Sequence, residues 1–189
     1  MALSASSPPS VAGSGPAATY PPGVHRFPLP ASLRVVFDSP LPSGKTAAAI
    51  VVADENYQLA FYSAMAAGPK DHSYARYTSP LPFGNTDSQL RWTEQDLAHY
   101  AKTHTTRLGT IVLSRIHITY RRGKGAVVRF CVNESKFKYL NTRTGKTQPP
   151  KHRYYLEDDS VDRQFGSTWV VTYSFDYFGK NKLAEGCRP

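Results

Sequence analysis

The chain has 189 residues, 40% hydrophobic and 12% aromatic, which is enough apolar material for one cored domain and too much for a wholly disordered chain. Its 15 prolines and 13 glycines predict many turns and few long helices, and no stretch reaches the ~18 apolar residues of a membrane span. The 23 Lys and Arg against 14 Asp and Glu leave a net charge of +9, which suggests a polyanionic partner.

Residues 1–30 are Ala, Ser, Pro and Gly with almost no charge, a composition that buries too little apolar surface to offset its ordering entropy. They read as a disordered or loosely docked arm. Met1-Ala2-Leu3-Ser4 shows neither a basic nor an apolar leader region, so a soluble, unsecreted chain is expected. Leu33 to Asp38 predicts a strand, closed by the turn-rich Ser39-Pro40-Leu41-Pro42-Ser43-Gly44. Ala47 to Ala53 and the alternating Tyr57, Leu59 and Phe61 read as further strands, although Ala47–Ala49 could equally begin a helix. Residues 66–90, punctuated by Gly68-Pro69, Pro80, Pro82 and Gly84, predict a long connection. A short helix is expected from Glu94 to about Thr103, with Thr93 as N-cap and Leu97 and Tyr100 on one face.

The hairpin from Ile111 to Val132 is the strongest local pattern. Centred on Gly123, it places Ile116 opposite Phe130, Ile118 opposite Val128 and His117 opposite Arg129. Val112, Ser114, Ile116, Ile118 and Tyr120 then share one face, and Arg115, His117, Arg121 and Arg129 the other. Phe137 to Leu140 and Arg153 to Leu156 predict short strands, separated by the polar loop Asn141–His152 and followed by the acidic group Glu157, Asp158, Asp159 and Asp162. Alternating Trp169, Val171, Tyr173, Phe175 and Tyr177 form the last strand, which ends at Gly179. The sum is an all-β domain over residues 31–179, a jelly-roll sandwich of about eight antiparallel strands with one short helix, a flexible N-terminal arm and a C-terminal tail at 180–189.

The charge is concentrated. Residues 1–104 are neutral overall, residues 105–153 carry twelve Lys and Arg against Glu134 alone for a net of +11, and residues 154–189 carry −2. Candidate nucleic-acid contacts are therefore Arg115, Arg121, Arg122, Lys124, Arg129, Lys136, Lys138, Arg143, Lys146, Lys151 and Arg153. Tyr120, Phe130, Phe137, Tyr139, Tyr154 and Tyr155 are interleaved with them as stacking rings, Phe130 being better explained as core. Nothing in the pattern indicates base-sequence readout.

Other motifs carry less chemistry. Gly44-Lys45-Thr46 and Gly145-Lys146-Thr147 resemble phosphate-loop endings, but Ser39 and Leu140 stand where that loop needs its first glycine. His104-Thr105-Thr106 and His117-Ile118-Thr119 are separated by thirteen residues, too few for easy convergence on one site. The group Glu157 to Asp162 offers oxygen ligands suited to Ca²⁺, yet such a group is more often a solvated loop or a partner for basic side chains. Cys131 and Cys187 are too few and too unlike in setting for a disulfide framework or a metal site, so a reducing compartment is expected. No catalytic residue, metal or cofactor is assigned, and the chain is read as a non-enzyme.

The order of these features resembles the jelly-roll coat proteins of small plant positive-strand RNA viruses of the bromovirus, cucumovirus and ourmiavirus type. Leu113-Ser114-Arg115-Ile116-His117-Ile118, its partner Val127 to Val132, and the closing strand Trp169 to Tyr177 carry the resemblance. It implies a capsid subunit that assembles with identical copies into a symmetric shell, packages single-stranded RNA on a basic surface, and is found in the virion and the host cytoplasm, with no membrane partner. Those families hold an Arg-rich arm, whereas residues 1–30 have only Arg26, so genome contact falls to the folded domain. The alternatives are a non-shell viral nucleic-acid-binding protein, such as a movement or silencing factor, and an enzyme acting on a phosphate-containing substrate.

Overall fold

A computed structural model describes residues 20–68, 70–121, 125–164, 168–178, 184 and 186–188. In chain order it contains β1 (Leu33–Asp38), α1 (Lys45–Ala67), a 3-10 turn (Ser73–Arg76), α2 (Gln89–Lys102), β2 (Thr105–Tyr120), β3 (Gly125–Asn141), β4 (Thr147–Gln148), β5 (Tyr154–Gln164) and β6 (Thr168–Phe178). The strands form one six-stranded mixed sheet in the order β1-β2-β3-β5-β6, with β4 alongside β3. β1 runs parallel to β2, and every other pairing is antiparallel. The fold is therefore β-rich, but the described residues do not form the expected two-sheet sandwich of eight strands. α1 and α2 cover one face of a single sheet instead.

The largest departure is α1. Residues 47–53 and 57–61, read as strands, lie inside this 23-residue helix. Lys45 to Ala67 contains no Gly or Pro and is rich in Ala, while Gly44 precedes it and Gly68 ends it at φ 89°, its N–H donating to the Ala64 carbonyl. Fourteen of its residues between Ile50 and Met65 are buried, so it lacks the polar stripe by which an amphipathic helix is recognised. Ile50, Val51, Tyr57 and Tyr62 join Val35, Ile111, Leu113, Val128, Phe130 and Phe137 of the sheet in the main core. α2 starts a turn earlier than expected: Ser88, not Thr93, is the cap, accepting from the Arg91 N–H, and Thr93 is buried within the helix. Leu97 and Tyr100 do share its packed face. Residues 20–30 lie against this framework, with Tyr20, Val24, Phe27 and Leu29 on the main core and the His25 N–H donating to Asn56 Oδ1.

Near its turn the β2–β3 hairpin has the expected register, with His117 opposite Arg129 and Ile118 opposite Val128, whereas the expected Ile116–Phe130 pairing falls within a register shift; the turn, residues 122–124, lies outside the described residues. Three register shifts then decide which side chains face the helices. In β2 the pairing shifts between Ser114 and His117, where Arg115 adopts φ 56°. Ile111 and Leu113 therefore share the buried face with Ile116 and Ile118, in place of Val112 and Ser114. In β3 the shift opposite Thr110–Val112 leaves Glu134 in phase with Val132 and turns Phe137 and Tyr139 inward. Gly109 precedes it at φ 102°, and a Cβ there would lie 2.1 Å from the Lys136 carbonyl oxygen. In β6 the shift at Ser160–Val161 places Val171 inward on one side of Thr172 and Ser174 and Asp176 inward on the other.

The cysteines correct the expectation that they form no disulfide. Cys131 on β3 and Cys187 are joined in a disulfide. With Leu156, Ala184 and Tyr177 they form a small apolar cluster on the sheet face away from the helices, and Arg115 donates to the Gly186 carbonyl beside it. Cross-linking residues 56 apart in sequence restricts the unfolded chain by an amount worth about 4 kcal/mol, and such bonds persist in oxidising surroundings. Among the described residues no helix is long and apolar enough to cross a membrane.

Candidate functional site: an aromatic cleft with buried carboxyls

Between α1, α2 and the helix-facing side of β3, β5 and β6 lies a cleft of about 790 Å³. Tyr57, Phe61 and Tyr62 of α1, Trp92 of α2, and Tyr155 and Phe178 of the sheet supply rings to its walls. Phe178 stacks on His152 at 4.7 Å, while Trp92 remains 45% exposed on α2. Into the same space project the carboxyls of Asp96, Glu134, Glu157 and Asp176. Strand alternation explains the convergence: Tyr155, Glu157, Asp159 and Val161 of β5 are opposite Val132, Phe130, Val128 and Ala126 of β3, all on the helix-facing side.

Behind the cleft, Gln58 Nε2 donates to Glu157 Oε1 at 2.7 Å and to Asp159 Oδ2 at 3.2 Å, and Ser174 Oγ donates to Glu157 Oε1 at 3.1 Å. Gln89 ties α2 to the other walls, donating to the Tyr57 hydroxyl and accepting from the Ser174 N–H. Asp54 of α1 shares a side-chain hydrogen bond with Asp159, which requires one of the two to keep its proton. Burial is the first cause of every upward shift here. It pushes Asp54 up to about 8, reinforced by Glu157 and Glu55, and raises Asp159 and Glu157 well above the carboxylate range. Asp176 is raised to about 6 by burial, with Arg107 opposing the shift and Glu134 and Asp96 adding to it.

Arg107 is the buried cation of this region. Its guanidinium carbon lies 5.1–5.8 Å from the ring centroids of Phe61, Tyr62, Tyr100, Phe137 and Tyr139. It donates to the Tyr100 hydroxyl at 3.0 Å and faces Glu134 at 4.0 Å. Among the described residues no group of three His, Cys, Asp or Glu side chains is arranged to hold a metal ion.

The residues expected to contact nucleic acid are dispersed rather than gathered in this cleft. Arg129 makes two 2.6 Å hydrogen bonds to Asp158, and Arg121 pairs with Asp162 at 2.6 Å while its guanidinium lies over the Phe83 ring. The acidic group is thus no loop: it forms the body of β5, with Asp158 and Asp162 turned to the basic side chains and Glu157 and Asp159 turned to the helices. Arg115 is exposed on β2, and Arg122 and Lys124 lie outside the described residues. Lys136, Lys138, Arg143, Lys146, Lys151 and Arg153 are exposed around the far end of β3 and the segment leading to β5, and only Lys151 also lines the cleft. Of the proposed stacking rings, Phe130, Phe137 and Tyr155 are buried, Tyr139 packs on Arg107, and Tyr120 is 60% exposed. His104 immediately precedes β2, and His117 lies near the other end of that strand.

Sequence reasoning missed the cleft. Its signals were the polar run Asp54-Glu55-Asn56-Tyr57-Gln58 between apolar segments, and Ser174 and Asp176, which simple alternation along β6 assigns to solvent.

No family model and no curated protein matches the chain. Solved structures similar to it include the intermembrane space region of the chloroplast protein ARC6, with a TM-score of 0.44 and 15% identity over 74% of this chain and 100% of that one. A structure from Catenulispora acidiphila has a TM-score of 0.47 and 10% identity over 71% of this chain and 95% of its own. An NTF2-like superfamily protein from Salmonella enterica serovar Typhimurium has a TM-score of 0.35 and 16% identity over 49% of this chain and 57% of its own.

Proposed function

We propose that this chain is a binding domain whose working part is the cleft between the two helices and the sheet, and that its ligand is a small organic molecule. The observation that carries the reading is the cleft itself: about 790 Å³, ring-walled, with a few convergent polar groups, within the range of about 300–1,000 Å³ typical of small-molecule sites. Three elements hold its walls in place through Gln58 and Gln89, so the site is formed before any ligand arrives. The test is a titration with indole, followed by the indole N–H resonance of Trp92 and the tyrosine ring resonances. Saturable shifts are expected, and Trp92→Ala, a change at a half-exposed position, should weaken binding severalfold. Indole that moves no cleft resonance, or binds the variant unchanged, overturns the reading.

A second reading has one observation in its favour. Lys136, Lys138, Arg143, Lys146, Lys151 and Arg153 make no ion pair with the described residues and crowd one end of the sheet. That end suits a polyanion such as single-stranded RNA, and a coat-protein role would have to draw its genome contact from it.

A further inference from the structure

Taking the cleft as a small-molecule site, we infer that its ligand is an organic cation, an ammonium or guanidinium group on an apolar body, with the positive group held at Asp176. The inference rests on the proposed function and adds the sign of the ligand's charge.

The first argument is what the cleft already does with a cation. Five rings surround the Arg107 guanidinium, the arrangement in which ring quadrupoles stabilise positive charge. Arg107 donates to Tyr100, faces Glu134 and lies among the rings, and among the described residues it makes no ion pair with Asp96 or Asp176.

The second is which carboxyls are left without a partner. Glu157 accepts from Gln58 and Ser174, and Glu134 has Arg107 and Tyr155. Asp176, on β6 directly opposite Glu157, accepts no hydrogen bond and makes no ion pair with the described residues, although it lines the cleft and is only partly exposed. Asp96 on α2 lines the same cleft and is likewise unpaired. Their mutual repulsion with Glu134 is one cause of the raised Asp176 pKa, and a ligand cation would relieve it.

The third is contrast. The chain carries +9 overall, yet the carboxyls lining this cleft outnumber the cations that line it, Arg107 and Lys151. A site for an anion would more simply have used the basic residues that the chain has in excess. Tyr155 and Phe178, whose rings lie 5.1 Å apart beside the Asp176 strand position, supply apolar and ring surface for the body of the ligand.

The experiment is a charge series on one body: 2-naphthylmethylammonium, 2-naphthylmethanol and 2-naphthoate, titrated into the full chain at pH 7.5 by calorimetry. The ammonium is expected to bind at least ~10-fold more tightly than the alcohol, and the naphthoate most weakly. Asp176→Asn should remove most of the preference for the cation while leaving the affinity for the alcohol unchanged, with Asp96→Asn, an exposed position, giving a smaller loss. Equal binding of ammonium and alcohol, tighter binding of naphthoate, or a preference that survives in a folded Asp176→Asn overturns the inference and leaves the cleft reading standing. If none of the three binds, the cleft reading falls and the inference with it. Should Asp176→Asn not fold, the wild-type series decides the matter.

Discussion

The two faces of β3 and β5 treat charge in opposite ways. On the outer face of β5 each acid has a cation: Asp158 pairs with Arg129 of the neighbouring β3, and Asp162 with Arg121, just past the end of β2. On the helix-facing side Glu157 and Asp159, the residues on either side of Asp158, have no cation in contact and are buried with amides, hydroxyls and another carboxyl. The outer face is neutralised by opposite charge, whereas on the inner face burial holds Glu157 and Asp159 toward their protonated form. A sheet that alternates side chains every residue can therefore hold two electrostatic regimes about one strand thickness apart, and the inner one faces the cleft.

The comparison breaks most visibly at Arg107, the buried cation of the inner face. Arg107→Met would leave Glu134 buried with no cation beside it, only the Tyr155 hydroxyl, and remove the guanidinium from its five rings. A stability loss of about 3–5 kcal/mol is expected, measured by urea unfolding. Arg107→Lys should recover little of it, since an ammonium lacks the planar surface that stacks between rings. A loss under about 1 kcal/mol would mean that the inner region does not depend on this cation.

A change of pH sharpens the comparison next, because it acts on the inner face through every shifted group in the same direction. Asp54 stands at about 8 against an ordinary 3.8, and Glu55, whose two oxygens are buried and unpartnered, at about 7 against 4.5. Such a carboxyl keeps its proton in the folded chain at a pH where the unfolded chain has lost it. Its contribution is complete below about pH 4 and is lost as pH rises to about 8. The melting temperature should therefore fall from pH 5 to pH 8.5, and Asp54→Asn, which cannot ionise, should flatten that slope. A profile that rises over this interval contradicts the proton-neutralised inner face.

How much of this was legible in the sequence follows from the same alternation. β1, the hairpin register and the last strand are local patterns, and the structure reproduces Leu33–Asp38 and the His117–Arg129 and Ile118–Val128 pairings. α1 was hidden because a helix buried on nearly every side has apolar residues all round, and a short window of it reads as a strand. The cleft was hidden by the bulges. Read with an unbroken period of two, Ser174 and Asp176 belong with solvent, and only the extra residue at Thr172 returns them to the helix side. The basic excess was plain in composition, but composition does not show that Arg121 and Arg129 are held by acids some thirty to forty residues later. The disulfide was invisible for a related reason: Cys131 and Cys187 lie 56 residues apart in sequence and become neighbours only through the tertiary fold.

The smallest expected effect lies on that outer face, and it is where the comparison is most exposed to failure. The Arg129–Asp158 pair has ideal geometry, two 2.6 Å hydrogen bonds in a fork, and Asp158 raises the Arg129 pKa chiefly through them. Yet the Arg129 side chain is 36% exposed, so water screens the attraction and hydrates the guanidinium in the absence of its partner. A double-mutant cycle of Arg129→Ala and Asp158→Ala should give a coupling of about 1 kcal/mol or less, and smaller still in about 0.5 M salt. A coupling of about 3 kcal/mol that salt leaves unchanged would mean that the pair is buried in its energetics despite its exposure. The outer charges would then be structural in the same sense as Arg107, and the division of the sheet into a screened face and a desolvated one would have to be given up.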